Sequence, residues 1–361
     1  MSRSPAHTKK LFIPGPVDVR AEVREEMARP LIGHRSADMV ALLNRIRPRL
    51  RLLMGTRSEV LVGTCSGSGL LEAAIRNLVR QRCLALTCGA FSERWAEMAR
   101  DCGREVDTLP VEWGEPNLPD TLEQKLRGTD YEAVLVVHNE SSTGLANPLE
   151  AIAEVMRAHP DVLFLVDAVT SLAGLPLEVD RLGIDVAVAS VQKALALPPG
   201  LALASVSERA FARAGKIRGR GFTFDFVRMR RSAEKGQTPT TPSISHLYAL
   251  DRQSQDILKE GLKSRWERHA ALARRCREWA LERFAVFPRS GHESNTLTCI
   301  RNTRDIDVTR MRAALAEHGF VIADGYGKLK QQTFRIGHMG DVQVSELEEL
   351  LAALDEVLDS Q

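Results

Sequence analysis

The sequence predicts an α/β protein in which a mostly parallel sheet is flanked by helices and followed by a smaller α+β unit. Apolar runs of strand length alternate with helical patterns between Glu59 and Ser207, and such alternation builds parallel sheets covered on both faces. Beyond the turn-rich GQTPTTPSIS, long charged helical stretches and short strands take over. Residues 1–257 are therefore assigned to an N-terminal arm and a large domain, and residues 258–361 to a small C-terminal domain.

The arm, LFIPGPVDV, is stiffened by its prolines and reads as an extended segment laid over other structure. EVLVGT (Glu59–Thr64) is a strand leading into the helical LLEAAIRNLV. CLALT precedes FSERWAEMARDCG, whose helix should stop at Gly103. EAVLVVH (Glu132–His138) passes through a polar turn into PLEAIAEVMRAH. VLFLVDA (Val162–Ala168), IDVAVAS (Ile184–Ser190) and LALASVS follow as buried strands, being apolar with no helical stripe. A charged helix then runs from about Ile244 to Phe284, bent near Gly261. NTLTCI, FVIAD and TFRIGH are short strands, and VTRMRAALAEHG and SELEELLAALDEVL are helices. No internal repeat is visible.

Composition narrows the function. The 49 basic and 47 acidic residues leave a net charge of +2, so no global field points to nucleic acid. RIRPRLR and FVRMRRSAEK read as solvated faces. The six cysteines show no CxxC or zinc spacing, so no metal site is expected, and free thiols suit a reducing compartment. MSRSPAHTKK has no apolar signal core, no run approaches a membrane span, and DSQ is no address signal. A cytoplasmic protein is expected.

In open α/β sheets, binding residues gather at the carboxyl ends of strands. The first strand is followed by CSGSG, small residues opening a helix whose free N–H groups suit a phosphate. It is not GxGxxG, GxxxxGK[ST] or GxSxG, so nucleotide and hydrolase motifs fail. EAVLVVH is followed by the hydroxyl-rich NESSTG, VLFLV ends on Asp167, and IDVAVAS leads to Lys193. Taken singly, Lys193 reads as a snorkelling side chain, CSGSG as a plain turn and Asp167 as a helix cap. Together they are the parts that pyridoxal phosphate requires. A lysine bonds the cofactor and carries a proton, while an acid pairs with the pyridine nitrogen and makes the ring an electron sink.

These residues bring a resemblance with them. IPGPVDV, SGSGLLEAA, HNESSTG, LVDAVTSLAG, GIDVAVASVQKALALPPG, TPTTPSISHLYAL and FRIGHMG together resemble the class V aminotransferases of pyridoxal-phosphate fold type I, near the alanine–glyoxylate and serine–glyoxylate (serine–pyruvate) group, over nearly the whole chain. The resemblance implies that Lys193 bonds the cofactor. It gives Ser66, Gly67, Ser68 and Gln192 to the phosphate and its turn, and Ser141 and Asp167 to the ring substituents and nitrogen. Phe91 falls where the family stacks an aromatic ring, usually tryptophan, and Val169 packs beneath the cofactor. Gln237 and Thr240 match positions that reach a neighbouring subunit's phosphate, which implies a homodimer with composite sites. Arg335 matches the arginine that forks the substrate α-carboxylate, and Gly15 of the IPGPVDV motif joins it at the substrate.

The resemblance also shows departures. Asn139 replaces a common glycine, and Ser68 stands where some relatives carry histidine. His34 and Arg35, in GHRSADM, are similar to a pair that holds the substrate phosphate in phosphoserine aminotransferases; a helix-entry loop without a ligand explains them equally well. The implied activity is amino transfer from alanine or serine to glyoxylate or pyruvate, with phosphoserine or 2-aminoethylphosphonate transamination as the alternative. A cysteine-desulfurase-type lyase fits less well, because Gln192 stands where those enzymes carry histidine and Cys299 lies in a strand-like run. A non-enzymatic descendant would not be expected to keep Lys193, Asp167 and Arg335 together.

Overall fold

The computed structural model describes residues 9–360. The polar start on which the cytoplasmic expectation partly rests lies, for residues 1–8, outside the described residues, as does Gln361. The strands are β1 (Lys10–Phe12), β2 (Glu59–Gly63), β3 (Arg82–Thr87), β4 (Glu105–Pro110), β5 (Ala133–Val137), β6 (Asn139–Glu140) and β7 (Leu145–Ala146). They continue with β8 (Leu163–Asp167), β9 (Val186–Ser190), β10 (Ala202–Val206), β11 (Ala285–Val286), β12 (Leu297–Arg301), β13 (Phe320–Asp324) and β14 (Thr333–Gly337).

Seven strands form the main sheet in the order β2-β10-β9-β8-β5-β3-β4. Only β10 runs against the rest, antiparallel to both β2 and β9. Strand periodicity divides the apolar residues between two cores. Val134, Val136, Phe164 and Val166 face one helix layer, and Ala133, Leu135, Leu163 and Leu165 face the other. Side chains on both faces are buried, which is why these runs read as continuously apolar.

The second sheet has five strands in the order β1-β13-β14-β12-β11. Its core lies against the helices Leu262–Arg283, Val308–Glu317 and Val344–Asp359. β1 pairs in parallel with β13, Lys10 opposite Phe320. The arm assigned with residues 1–257 therefore puts its strand in the C-terminal sheet, where the exposed edge of β13 offers unpaired backbone groups. The expected bent helix is two helices, Ile244–Glu260 and Leu262–Arg283, because Gly261 adopts φ 85°. Among the described residues no helix is long and apolar enough to cross a membrane.

Candidate active site

The carboxyl ends of β2, β5, β8 and β9 meet along one edge of the main sheet. β9 ends at Ser190, and Lys193 follows in the next turn. Its Nζ donates to the carbonyl oxygen of Pro14 at 2.5 Å. Gly15, at φ +104°, has no room for a side chain, since a Cβ there would lie 2.5 Å from Cδ of Lys193 and 2.7 Å from Nζ. The arm thus closes over the lysine, and Val17 N–H is tied to the carbonyl of Gln192 at 3.2 Å. Burial lowers the Lys193 ammonium to about 8, with Arg335 pushing the same way and Asp167 opposing.

Asp167 is the last residue of β8 and is buried. Its Oδ1 accepts the Val169 N–H at 2.8 Å, while Oδ2 accepts no hydrogen bond among the described residues. Burial pushes the carboxyl up to about 7, and Lys193 pulls it back only in part. Gly67 opens the helix Gly67–Leu78, and its N–H donates to Ser190 Oγ at 3.1 Å. Ser190 in turn donates to Gln192 Oε1 at 2.8 Å. A Cβ on Gly67 would sit 2.7 Å from Cγ2 of Val169, so glycine lets this helix start approach the strand end. Ser66 and Ser68 are exposed at that helix start, with backbone donors the helix itself leaves unpaired.

Phe91, in the first turn of the helix Ala90–Asp101, meets Tyr326 with ring centroids 5.1 Å apart. Arg94, one turn on, lies over Phe91 at 4.9 Å and donates to the Tyr326 hydroxyl at 2.5 Å. Arg335 faces the same Tyr326 ring from 5.4 Å. It is buried in β14, donating from Nη1 to the Ser141 carbonyl and from Nε to the Asp324 carbonyl, both at 3.0 Å. Burial lowers its pKa from the ordinary arginine value, with Cys299, Tyr326, Asp324 and Glu140 opposing only in part.

Glu140, Pro14 and Tyr326 are members of this cluster that sequence reasoning did not assign. Glu140 is fully buried and accepts the N–H groups of Phe91 and Ser92, at 3.1 and 2.9 Å through Oε2, along with the Ser142 hydroxyl at 2.6 Å. Its carboxylate caps the helix that carries Phe91. The signals for Glu140 and Pro14 lay inside HNESSTG and IPGPVDV; Tyr326 sits in a loop with no motif.

Four expected residues lie elsewhere in the chain's own fold. Arg35 donates to the carbonyls of Thr238 and Pro239, at 2.6 and 3.3 Å, which places His34 and Arg35 beside the segment carrying Gln237 and Thr240. Ser36 next to them caps the helix Ala37–Met54. Thr240 is exposed, and none of the four contacts Lys193 or Asp167.

The family model described as Aminotransferase class-V matches residues 21–337. The chain belongs to the class V aminotransferases. An uncharacterized aminotransferase of Methanocaldococcus jannaschii is 37% identical over 96% of this chain and 92% of its own length. The serine–glyoxylate aminotransferase of Methylorubrum extorquens is 31% identical over 92% of this chain and 86% of its own. The structure of an alanine–glyoxylate aminotransferase from Nostoc sp. superimposes with a TM-score of 0.93 at 27% identity, covering 99% of this chain and 98% of that one. The protein is a transaminase.

As a class V aminotransferase it departs from the common pattern at Asn139, which is buried and donates to Thr170 Oγ1 and Thr296 Oγ1 at 2.8 and 2.9 Å. A glycine there would leave both hydroxyls without this partner, so Asn139 ties the HNESSTG turn to the segment before β12. Cys299 is buried within β12, and burial raises its thiol to about 11. A thiol held protonated inside a strand is a poor nucleophile, which counts against the lyase alternative.

Proposed function

We propose that this transaminase uses pyridoxal 5'-phosphate to move an amino group from alanine or serine to glyoxylate or pyruvate. The observation that carries the proposal is the convergence of Lys193, Asp167 and Arg335, the acid and the arginine both acting electrostatically on the lysine. The residues fit the cofactor. Asp167 belongs to the buried strand end and its Oδ2 accepts no hydrogen bond among the described residues, Gly67 leaves a cradle that a Cβ would fill, and Lys193 is an amine lowered to about 8. When bound, the cofactor supplies a ring that delocalises the electron pair released as the donor loses its α-proton.

The chain's own groups do the rest. Lys193, held by the Pro14 carbonyl, loses its proton at about pH 8 and then carries the α-proton at Nζ. Asp167 offers Oδ2 to the pyridine nitrogen, gaining the positive partner that its burial demands. Gln192, Ser66 and Ser68 hold the phosphate at the helix start that Gly67 opens, with Phe91 and Val169 on the two ring faces and Ser141 at a ring substituent. Arg335, fixed by two carbonyls, presents Nη2 to the substrate α-carboxylate. Gly15 keeps the space beside Lys193 open for the substrate. Gln237 and Thr240 serve the phosphate of a second copy, making a homodimer with composite sites.

The test is single-turnover absorbance of the loaded enzyme mixed with alanine, serine, aspartate and phosphoserine in turn. Fast loss of the cofactor's visible band with alanine or serine supports the reading; no response to any amino acid overturns it. The glyoxylate preference rests on the names of the serine–glyoxylate and alanine–glyoxylate relatives.

A further inference from the structure

Among the described residues, Arg94 is a cation without an acid. Its hydrogen-bond partner is the Tyr326 hydroxyl, and its guanidinium lies 4.9 Å from the Phe91 ring and 5.9 Å from the Tyr326 ring. The neighbouring carboxylate, Glu93, is engaged by Trp113 Nε1 at 2.7 Å. Glu140 is committed to the start of the helix below. Among the described residues, no carboxylate pairs with either Arg94 or Arg335. Two partly or wholly buried guanidiniums therefore face one tyrosine ring, 5.9 and 5.4 Å from its centroid, and among the described residues neither forms an ion pair. Burial of an unpaired charge is costly, and such groups persist where an incoming partner neutralises them.

We propose that Arg94 is a specificity-determining residue that receives the distal carboxylate of a four-carbon dicarboxylic amino or 2-oxo acid whose α-carboxylate is held by Arg335. The inference rests on the transaminase reading and extends its substrates from alanine and serine to acidic partners. Tyr326 acts as the spacer. Its ring lies against both guanidiniums, and its hydroxyl anchors one Nη of Arg94, leaving the other nitrogens for a carboxylate. A planar fork at each end matches a substrate with a carboxylate at each end. Alanine satisfies Arg335 alone.

The test separates charge reading from fold. Binding of two unreactive probes, succinate and propionate, is measured by calorimetry on the cofactor-loaded wild type, Arg94→Gln and Arg94→Lys. The kcat/KM ratio of aspartate to alanine is measured alongside. Succinate should bind the wild type at least about tenfold more tightly than propionate, and Arg94→Gln should erase that ratio. Arg94→Lys should restore part of it, and the aspartate-to-alanine ratio should follow the same order. A wild type that binds both probes equally overturns the inference, and so does a Gln variant that keeps the ratio. An enzyme inert toward alanine and aspartate alike would instead refute the transamination reading itself.

Discussion

The Pro14 carbonyl oxygen stands 2.5 Å from Nζ of Lys193, so the lysine of the main sheet is held by a segment anchored in the other sheet. One residue, Ile13, separates Pro14 from the end of β1, and β1 belongs with β13. Any shift of the C-terminal unit is therefore felt at the amine.

Lys193→Ala should abolish turnover while leaving cofactor binding through the phosphate cradle. Turnover should fall by at least about a thousandfold, or roughly 4 kcal/mol of barrier. Steady-state rates and the visible absorbance of the loaded protein measure it; activity within about tenfold of the parent would refute the assignment.

Gly15→Ala should damage the site even though the substitution is small. The methyl group would fall 2.5 Å from Cδ of Lys193 at a backbone φ of +104°. Strain of this kind costs about 1–3 kcal/mol, and the arm must move to relieve it. Circular dichroism should show a folded chain, and the pH profile of kcat should shift because Pro14 no longer holds the amine. An unchanged profile would show that the arm does not set the lysine's behaviour.

Asp167→Asn should stabilise the cofactor-free chain near neutral pH and disable the loaded one. Folding raises the Asp167 carboxyl from 3.8 to about 7, so the native state binds more protons across that window and loses stability as the pH climbs through it. Folding lowers Lys193 from 10.5 to about 8, a cost present below pH 8 and relieved as the pH rises toward 10.5. The Asn variant removes the first cost, so its Tm should exceed the parent's by a few degrees at about pH 7.5 and match it at about pH 4. Calorimetric scans at the two pH values decide; a variant less stable at both would contradict the burial argument.

Mixing Lys193→Ala chains with Thr240→Ala chains should restore activity if sites are composite. Thr240 is exposed in its own chain and does not reach its own Lys193. Heterodimers would carry one site with both residues intact and one with neither. Recovery to roughly a quarter of wild-type activity is the statistical ceiling for random pairing, well above either parent alone. Absence of recovery, or a fully loaded active monomer, would remove the composite-site reading.

Arg35→Ala should cost stability and leave the preference between alanine and phosphoserine unmoved. Its guanidinium is occupied by the Thr238 and Pro239 carbonyls, contacts worth about 1–3 kcal/mol together. A phosphoserine rate that is high in the parent and vanishes with Arg35 would instead favour the phosphorylated donor.

Much of this was legible in the chain because strand ends are local events. Asp167 closes one run of buried apolar residues and Lys193 stands in the turn just beyond another, so their place at the sheet edge follows from the pattern. β4 escaped because EVDTLP is partly exposed and has β3 as its single sheet neighbour, and an edge strand need not be continuously apolar. The arm's partner escaped for another reason: pairing of Leu11 with Val321 is a contact between the ends of the chain, and no local period encodes it. Arg94 and Tyr326 are alike in this. Each is an ordinary surface residue in its own segment, and their meeting depends on how the two units pack.

β1 also bears on how the protein is made. The strands of the main sheet are complete once synthesis has passed Val206, whereas β1 has no partner until β13 leaves the ribosome. Domains tend to fold as they emerge, so the nascent chain has a long interval with a folded lysine-bearing sheet and a loose leading strand. The Pro14 segment that holds Lys193 is anchored only when β13 is available to pair with β1. Completion of the site thus waits on a strand that is made well after the lysine itself.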